Sequence, residues 1–176
     1  MTRSRILGLS MITALGLAVL PGAAVGQQKT LKEQIAGTWI VVSNDSTAPD
    51  GKKSQPFGPK PGGILVFDAS GQYVQIMSHP DVPKFKANNR LQGTPEENTA
   101  AVRGTTANFG TWKIDEASKT ITVRNLGGMF PNSAGTDSTR VVVSVTADEL
   151  KITNPQTAAG ARSDNVWKRA KAVVAN

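Results

Sequence analysis

The tripeptide Gly37-Thr38-Trp39 decides the fold, because it stands at the head of the first strand-like run of the chain. A closed β-barrel needs a plug where its ends meet, and a Trp close behind a Gly at the start of strand one commonly supplies it. Residues 31–36, just before the tripeptide, have the pattern of a helical turn. The tripeptide therefore predicts that the first strand opens a closed barrel.

Short strand-like runs separated by turn residues follow this tripeptide. The predicted strands are Thr38–Ser43, Ile64–Asp68, Gln72–Ser78, Thr105–Ile114, Thr120–Asn125, Thr139–Thr146, Glu149–Thr153 and Asn165–Arg169. Alternating apolar residues mark one face of three of them, at Ile121 and Val123, at Val141, Val143 and Val145, and at Leu150 and Ile152. Eight antiparallel strands in sequential order predict an all-β up-and-down barrel, and an open two-sheet sandwich is the alternative.

The turn Asp68-Ala69-Ser70-Gly71 sets the register of two neighbouring strands. The Asp68 side chain can cap the turn, and Gly71 supplies the positive φ that a type I turn with a bulge requires. If Asp68 lies opposite Gln72, then Phe67 faces Tyr73 on one side of the sheet.

One short helix carries a complete set of end signals. Thr94 is a predicted N-cap, Pro95 suits the first helical position, and Glu97 can reach back to the Thr94 amide. We expect the helix to run from Pro95 to about Arg103 and to end at Gly104.

Residues 1–26 have the pattern of a secretory signal peptide. Arg3 and Arg5 form a basic head, residues 6–20 are apolar, and small residues follow, with cleavage expected after Ala24 or Gly26. The apolar run is shorter than the roughly 20 residues that span a bilayer, so no membrane anchor is expected. We predict a periplasmic or secreted protein.

Residues 27–176 are expected to form a single domain. The sequence contains no Cys, which excludes disulfides, thiolate metal sites and Cys nucleophiles. Its formal net charge is +7, but the basic residues are scattered rather than arranged in a stripe with aromatics. We therefore expect no nucleic-acid partner, and we expect a monomer.

Motifs spread over residues 35–169 resemble the lipocalin-like domain family of bacteria and fungi, a relative of the calycin barrels. They include Gly37-Thr38-Trp39, Gly58-Pro59-Lys60-Pro61-Gly62, Gly71-Gln72-Tyr73, Asn88-Asn89-Arg90-Leu91, Gly93-Thr94-Pro95-Glu96-Glu97-Asn98, Phe130-Pro131-Asn132 and Trp167-Lys168-Arg169. The resemblance implies an eight-stranded barrel in which Trp39 packs against a basic residue near the last strand. Arg169 is the candidate, stacked on the indole for about 1 kcal/mol as a cation–π pair.

The candidate ligand-binding residues lie on the middle strands and on one long loop; they are Leu65, Phe67, Tyr73, Gln75, Arg90 and Trp112. An aromatic wall with one Tyr and one Gln is typical of a cavity for an apolar ligand. The alternative is ordinary core packing, since an eight-stranded barrel can fill its own interior.

The loop 79–93 is long for a compact barrel. It can act as a lid, with Arg90 meeting a carboxylate or carbonyl group of a ligand. It can instead act as a structural plug, with Glu96 or Glu97 paired to Arg90 or Arg103.

No catalytic residue is assigned from the sequence. His79 is the only histidine and the acids are dispersed, so neither a metal site nor a cofactor is predicted. No Ser stands in a nucleophile-elbow motif. The sequence favours an exported protein that binds a small apolar or amphipathic ligand. The alternatives are an isomerase or cyclase using Tyr73, His79 or Arg90, and a structural or envelope-stress barrel with a filled interior.

Overall fold

The computed structural model describes residues 28–171, so the predicted signal peptide lies outside the described part of the chain. The helices are α1 (Leu31–Ile35) and α2 (Pro95–Arg103), with one 3-10 turn at Pro131–Ser133. The strands are β1 (Gly37–Thr47), β2 (Lys53–Ser54), β3 (Gly62–Phe67), β4 (Gln72–Ser78), β5 (Thr105–Asp115), β6 (Thr120–Gly128), β7 (Asp137–Val145), β8 (Glu149–Asn154) and β9 (Arg162–Arg169).

Eight of these strands form a closed antiparallel barrel. From β3 to β9 each strand pairs with the next along the chain, and β1 pairs with both β3 and β9. The last pairing joins the two ends of the sheet and sets Trp39 opposite Arg169. The up-and-down barrel is therefore confirmed, and the open sandwich is wrong.

The eight predicted strands correspond to the eight strands of the barrel. The additional strand, β2, pairs only with the far end of β1, at Ser46 and Thr47. It was not predicted because Lys53-Ser54 is short, polar and exposed. A strand of two residues leaves no periodicity to read in a sequence.

The turn between β3 and β4 has the predicted geometry. The Gly71 amide donates to the Asp68 carbonyl at 3.0 Å, the Ser70 amide donates to the Asp68 carboxylate at 2.7 Å, and Gly71 has φ of 99°. Phe67 pairs with Tyr73. The register inferred from the turn is confirmed, which puts Tyr73 on the inner face of the barrel.

The helix α2 has the predicted boundaries and capping box. The Glu97 carboxylate accepts from the Thr94 amide at 2.9 Å and from the Lys86 amide at 3.0 Å. The plug alternative for this loop paired Glu96 or Glu97 with Arg90 or Arg103, but no such ion pair forms among residues 28–171. Glu97 stabilises the long loop through backbone amides instead.

The barrel has one closed end and one open end. At the closed end α1 precedes β1, and the amides of Leu31 and Lys32 donate to the Glu116 carboxylate in the β5–β6 turn. The turns there are short. The long connections, residues 48–61, 79–104, 129–136 and 155–161, all lie at the open end. No helix within the described residues is long and apolar enough to cross a membrane.

Candidate functional site

The closed half of the barrel is filled by large apolar side chains, which we call the floor. Its fully buried members are Ile35, Trp39, Leu65, Phe67, Ile121, Val123, Leu150 and Trp167. The rings of Phe67 and Trp112 lie 4.9 Å apart, and the Trp112 indole donates to the Asp68 carbonyl at 2.8 Å. Three predicted ligand-binding residues, Leu65, Phe67 and Trp112, thus lie in the floor and pack against other core residues.

The floor is sealed by the residues that motivated the barrel prediction. The Arg169 guanidinium carbon lies 4.0 Å from the centre of the Trp39 ring. Its Nη1 and Nη2 donate to the Ala36 and Gln34 carbonyls at 3.1 and 2.7 Å. Gly37 has φ of 134°, and a Cβ there would lie 2.8 Å from Arg169 Nη1. Glycine is therefore required at this position both by its conformation and by the approach of the guanidinium.

Above the floor the inner face becomes polar. Alternate residues of a strand point to opposite faces, and the inward positions of β4 to β7 here carry hydrogen-bonding side chains. We call this group the Tyr73–Arg140 cluster; its members are Tyr73, Gln75, Asn108, Asn125, Ser138 and Arg140. Two of the predicted ligand-binding residues, Tyr73 and Gln75, belong to it.

The Tyr73 hydroxyl is the centre of this cluster. It donates to the Gln75 amide oxygen at 2.7 Å and accepts from Arg140 Nη2 at 2.7 Å and from the Asn108 amide at 3.4 Å. β4 and β7 are separated in the sheet by β5 and β6, so Tyr73 and Arg140 meet across the barrel interior. Burial raises the pKa of Tyr73, although the Arg140 charge acts to lower it. The phenol therefore stays protonated at neutral pH.

Arg140 is the charged member of the cluster, and only 5% of its surface is exposed. Its Nη1 donates to the Ser138 hydroxyl at 3.0 Å, and its Nη2 also contacts the Gln75 amide oxygen at 3.4 Å. The guanidinium carbon lies 5.1 Å from the centre of the Tyr73 ring. No carboxylate among residues 28–171 forms an ion pair with it.

A second polar group lies between β1 and β9. The Asn44 amide nitrogen donates to the Ser163 hydroxyl at 2.8 Å and to the Asn165 amide oxygen. Asn44 is 3% exposed, and its amide oxygen accepts no hydrogen bond from the described residues. A buried acceptor without a donor is costly, so this amide oxygen destabilises the fold locally.

Arg90 and His79 lie on the long loop, apart from Tyr73. Arg90 is exposed, and no hydrogen bond or ion pair within residues 28–171 includes it. His79 Nδ1 accepts from the Asp81 amide at 3.0 Å, and its ring packs on Gly58. His79 follows Tyr73 by six residues, which is about 20 Å along an extended strand. The structure therefore does not bring together the three residues of the enzyme alternative.

Two cavities of the described chain lie elsewhere. One, of about 540 Å³, lies between β1 and β2 and is lined by residues such as Asp45, Lys53 and Asp164. The other, of about 630 Å³, lies between the start of α1 and the end of β7. Neither is lined by the Tyr73–Arg140 cluster. Within residues 28–171, no three His, Asp or Glu side chains come together to hold a metal ion.

Arg140 was not predicted as a site residue, because the apolar alternation in β7 indicates the wrong face of this strand. We expected Val141 and Val143 to share the inner face, whereas they are 36% and 60% exposed while Arg140 and Val142 are buried. The run Val141-Val142-Val143 is apolar at every position, so alternation cannot show which face points inward. A β-bulge between Val142 and Ser144 then shifts the register before Val145.

A closed eight-stranded antiparallel barrel with a helix before its first strand defines a barrel of the lipocalin type. The chain belongs to the lipocalin-like domain family, whose model matches residues 36–175.

Two solved structures align with most of this chain. A lipocalin-like protein from Bacteroides uniformis is 12% identical, with 78% of this chain and 99% of that chain covered and a TM-score of 0.42. Bovine odorant-binding protein, solved in complex with a selenium-containing odorant, is 18% identical, with 84% and 77% covered and a TM-score of 0.43. No curated protein matches this chain.

Proposed function

We propose that this protein binds a small amphipathic molecule in the open half of the barrel. The Tyr73–Arg140 cluster carries the proposal. Six polar side chains, one of them charged, line the interior on four adjacent strands directly above an apolar floor. A barrel that needed only a stable core would gain more from apolar side chains there, because buried polar groups are costly to desolvate.

The surroundings of the cluster suggest where each part of the ligand lies. Met77, buried on the open half of β4, and Phe57, packed against the core from the first long loop, supply apolar surface nearer the mouth. The polar part of a ligand would meet Tyr73 and Arg140, and its apolar part would contact Met77 and Phe57. This favours an amphipathic ligand over a purely apolar one.

We also infer that the protein is a monomer and, on the strength of the predicted signal peptide, that it is exported to the periplasm or the medium. Amino-terminal sequencing of the protein from its host tests this. Processing after Ala24 or Gly26 is expected, and an intact Met1 on the exported or retained protein would contradict it.

A filled structural barrel is the second candidate. It is favoured by the fully buried floor and by the position of the two cavities outside the cluster. In that case the cluster would only hold β4 to β7 together, and the interior would admit no small molecule.

Native mass spectrometry of the protein purified from its host separates the two candidates. We expect a bound small molecule that is released on denaturation. The variant Gln75→Leu, which alters the cluster, should retain less of it, whereas Gln72→Leu on the exposed face of the same strand should retain as much as the unmodified protein. A ligand-free protein that also binds no amphipathic probe would support the filled barrel.

A further inference from the structure

Arg140 brings a positive charge into the barrel, and no carboxylate among residues 28–171 forms an ion pair with it. Moving an ion of this size out of water is costly even after the protein relaxes around it, and buried charges in proteins are normally paired. All its contacts here, with Ser138, Tyr73 and Gln75, are to neutral groups. Tyr73 cannot supply the missing charge, because burial keeps its hydroxyl protonated.

The contacts of Arg140 leave part of its hydrogen-bonding capacity unused. A guanidinium has five N–H donors arranged in a planar fork, and three contacts through Nη1 and Nη2 are present. The Gln75 amide oxygen lies 3.4 Å from Arg140 Nη2, and the nitrogen of the same amide donates to no group among residues 28–171. Unused donors of Arg140 and Gln75 therefore lie near each other in the interior.

We propose that the ligand carries a carboxylate group, which pairs with Arg140 and accepts a further hydrogen bond from the Gln75 amide nitrogen. This inference rests on the proposed function and names the chemical class of its ligand. The planar fork of arginine matches a carboxylate in geometry. One cation in the cluster balances one negative charge, which favours a monocarboxylate over a phosphate ester with about two charges.

Calorimetric titration with matched ligands tests the pairing. The probes are straight-chain monocarboxylates from butanoate to dodecanoate, each compared with its primary amide, which has the same chain but no charge. Short acids that bind as well as long ones would identify a small organic acid as the ligand class, and affinity that rises with chain length would identify a fatty acid. In either case we expect the carboxylate to bind about 30-fold or more tightly than its amide.

Two arginine variants provide the matched comparison. Arg140→Met should abolish the preference for the carboxylate over the amide. Arg124→Met removes an arginine on the neighbouring strand that is exposed and paired with Asp137, and it should leave the preference unchanged. Arg140→Met should keep or raise the melting temperature, because apolar replacement of a buried charge is often neutral or stabilising.

The outcomes distinguish a failure of the carboxylate inference from a failure of the proposed ligand binding. Equal binding of carboxylate and amide by the unmodified protein would overturn the carboxylate inference and leave ligand binding intact. An unchanged preference in Arg140→Met would overturn the assignment of Arg140. If no member of either series binds, both the inference and the proposed function fail. Should Arg140→Met not fold, the comparison of carboxylate with amide on the unmodified protein decides alone.

Discussion

At the scale of single residues, Arg169 contributes to closure through several contacts at once. Its guanidinium stacks on Trp39 and donates to backbone carbonyls of Gln34, Ala36 and Ala147. These carbonyls belong to the end of α1 and to the β7–β8 turn. One side chain therefore joins the first strand, the last strand, the helix and a turn at the closed end.

Removing this side chain should destabilise the whole domain. We expect Arg169→Ala to lower the free energy of unfolding by about 2–4 kcal/mol, since it loses a cation–π contact and charge-assisted hydrogen bonds. Arg169→Lys should recover only part of this, because an ammonium lacks the planar fork. Urea unfolding measures the free energy of unfolding of both variants.

The neighbouring residue provides the control for this prediction. Lys168 is exposed on the same strand, and Lys168→Ala should change the free energy of unfolding by no more than about 0.5 kcal/mol. A loss for Arg169→Ala as small as that for Lys168→Ala would show that the closure does not depend on the arginine.

At the scale of secondary-structure elements, α2 depends on Glu97 more than on apolar packing. Glu97 is its buried residue, and the carboxylate accepts from the amides of Thr94 and Lys86. These two hydrogen bonds, that of Thr94 first, lower the pKa of Glu97. A lowered pKa means that folding favours the ionised form, so the stabilisation is present at neutral pH.

The pH dependence of stability should reveal this contribution. The stabilisation by the Glu97 carboxylate is complete above the pKa of about 4.3 that a Glu has in the unfolded chain. It is lost as the pH falls through the lower pKa of Glu97 in the folded protein. Glu97→Gln should therefore be less stable than the unmodified protein at pH 7 and should lose less stability on acidification. Urea unfolding at a series of pH values from 7 to 3 measures the free energy of unfolding of both proteins. Glu149→Gln, at an exposed pair with Lys151, is the control, and equal pH profiles for all three proteins would contradict the prediction.

Local signals explain which elements the sequence predicted well. The capping box of α2 and the Asp68–Gly71 turn are each encoded within a few adjacent residues, and both formed as expected. The inner face of β7 was misassigned because three consecutive valines carry no alternation, and its bulge has no local signature. Arg140 was missed because the valine run hides which face of β7 points inward. Its burial also depends on a contact with Tyr73, which is distant in sequence.

At the scale of the whole molecule, the barrel divides into two halves of different chemistry. The closed half is an apolar floor sealed by Trp39 and Arg169, and it contains three of the six residues that were predicted to bind a ligand, Leu65, Phe67 and Trp112. The open half holds the Tyr73–Arg140 cluster and the long loops. The general position of a site at the open end could be predicted from loop length, whereas its polar character depends on the side-chain contact between Tyr73 on β4 and Arg140 on β7 across the interior.

The most direct test of ligand binding inside the barrel is a crystal structure of the protein with ω-bromododecanoate. The anomalous signal of bromine locates the end of the chain, and the electron density locates the carboxylate. We predict a carboxylate within hydrogen-bonding distance of Arg140, with the bromine towards the mouth near Phe57 and Met77. Bromine bound only outside the barrel, for example in the cavity beside Asp45 and Asp164, with an interior filled by side chains, would contradict the account.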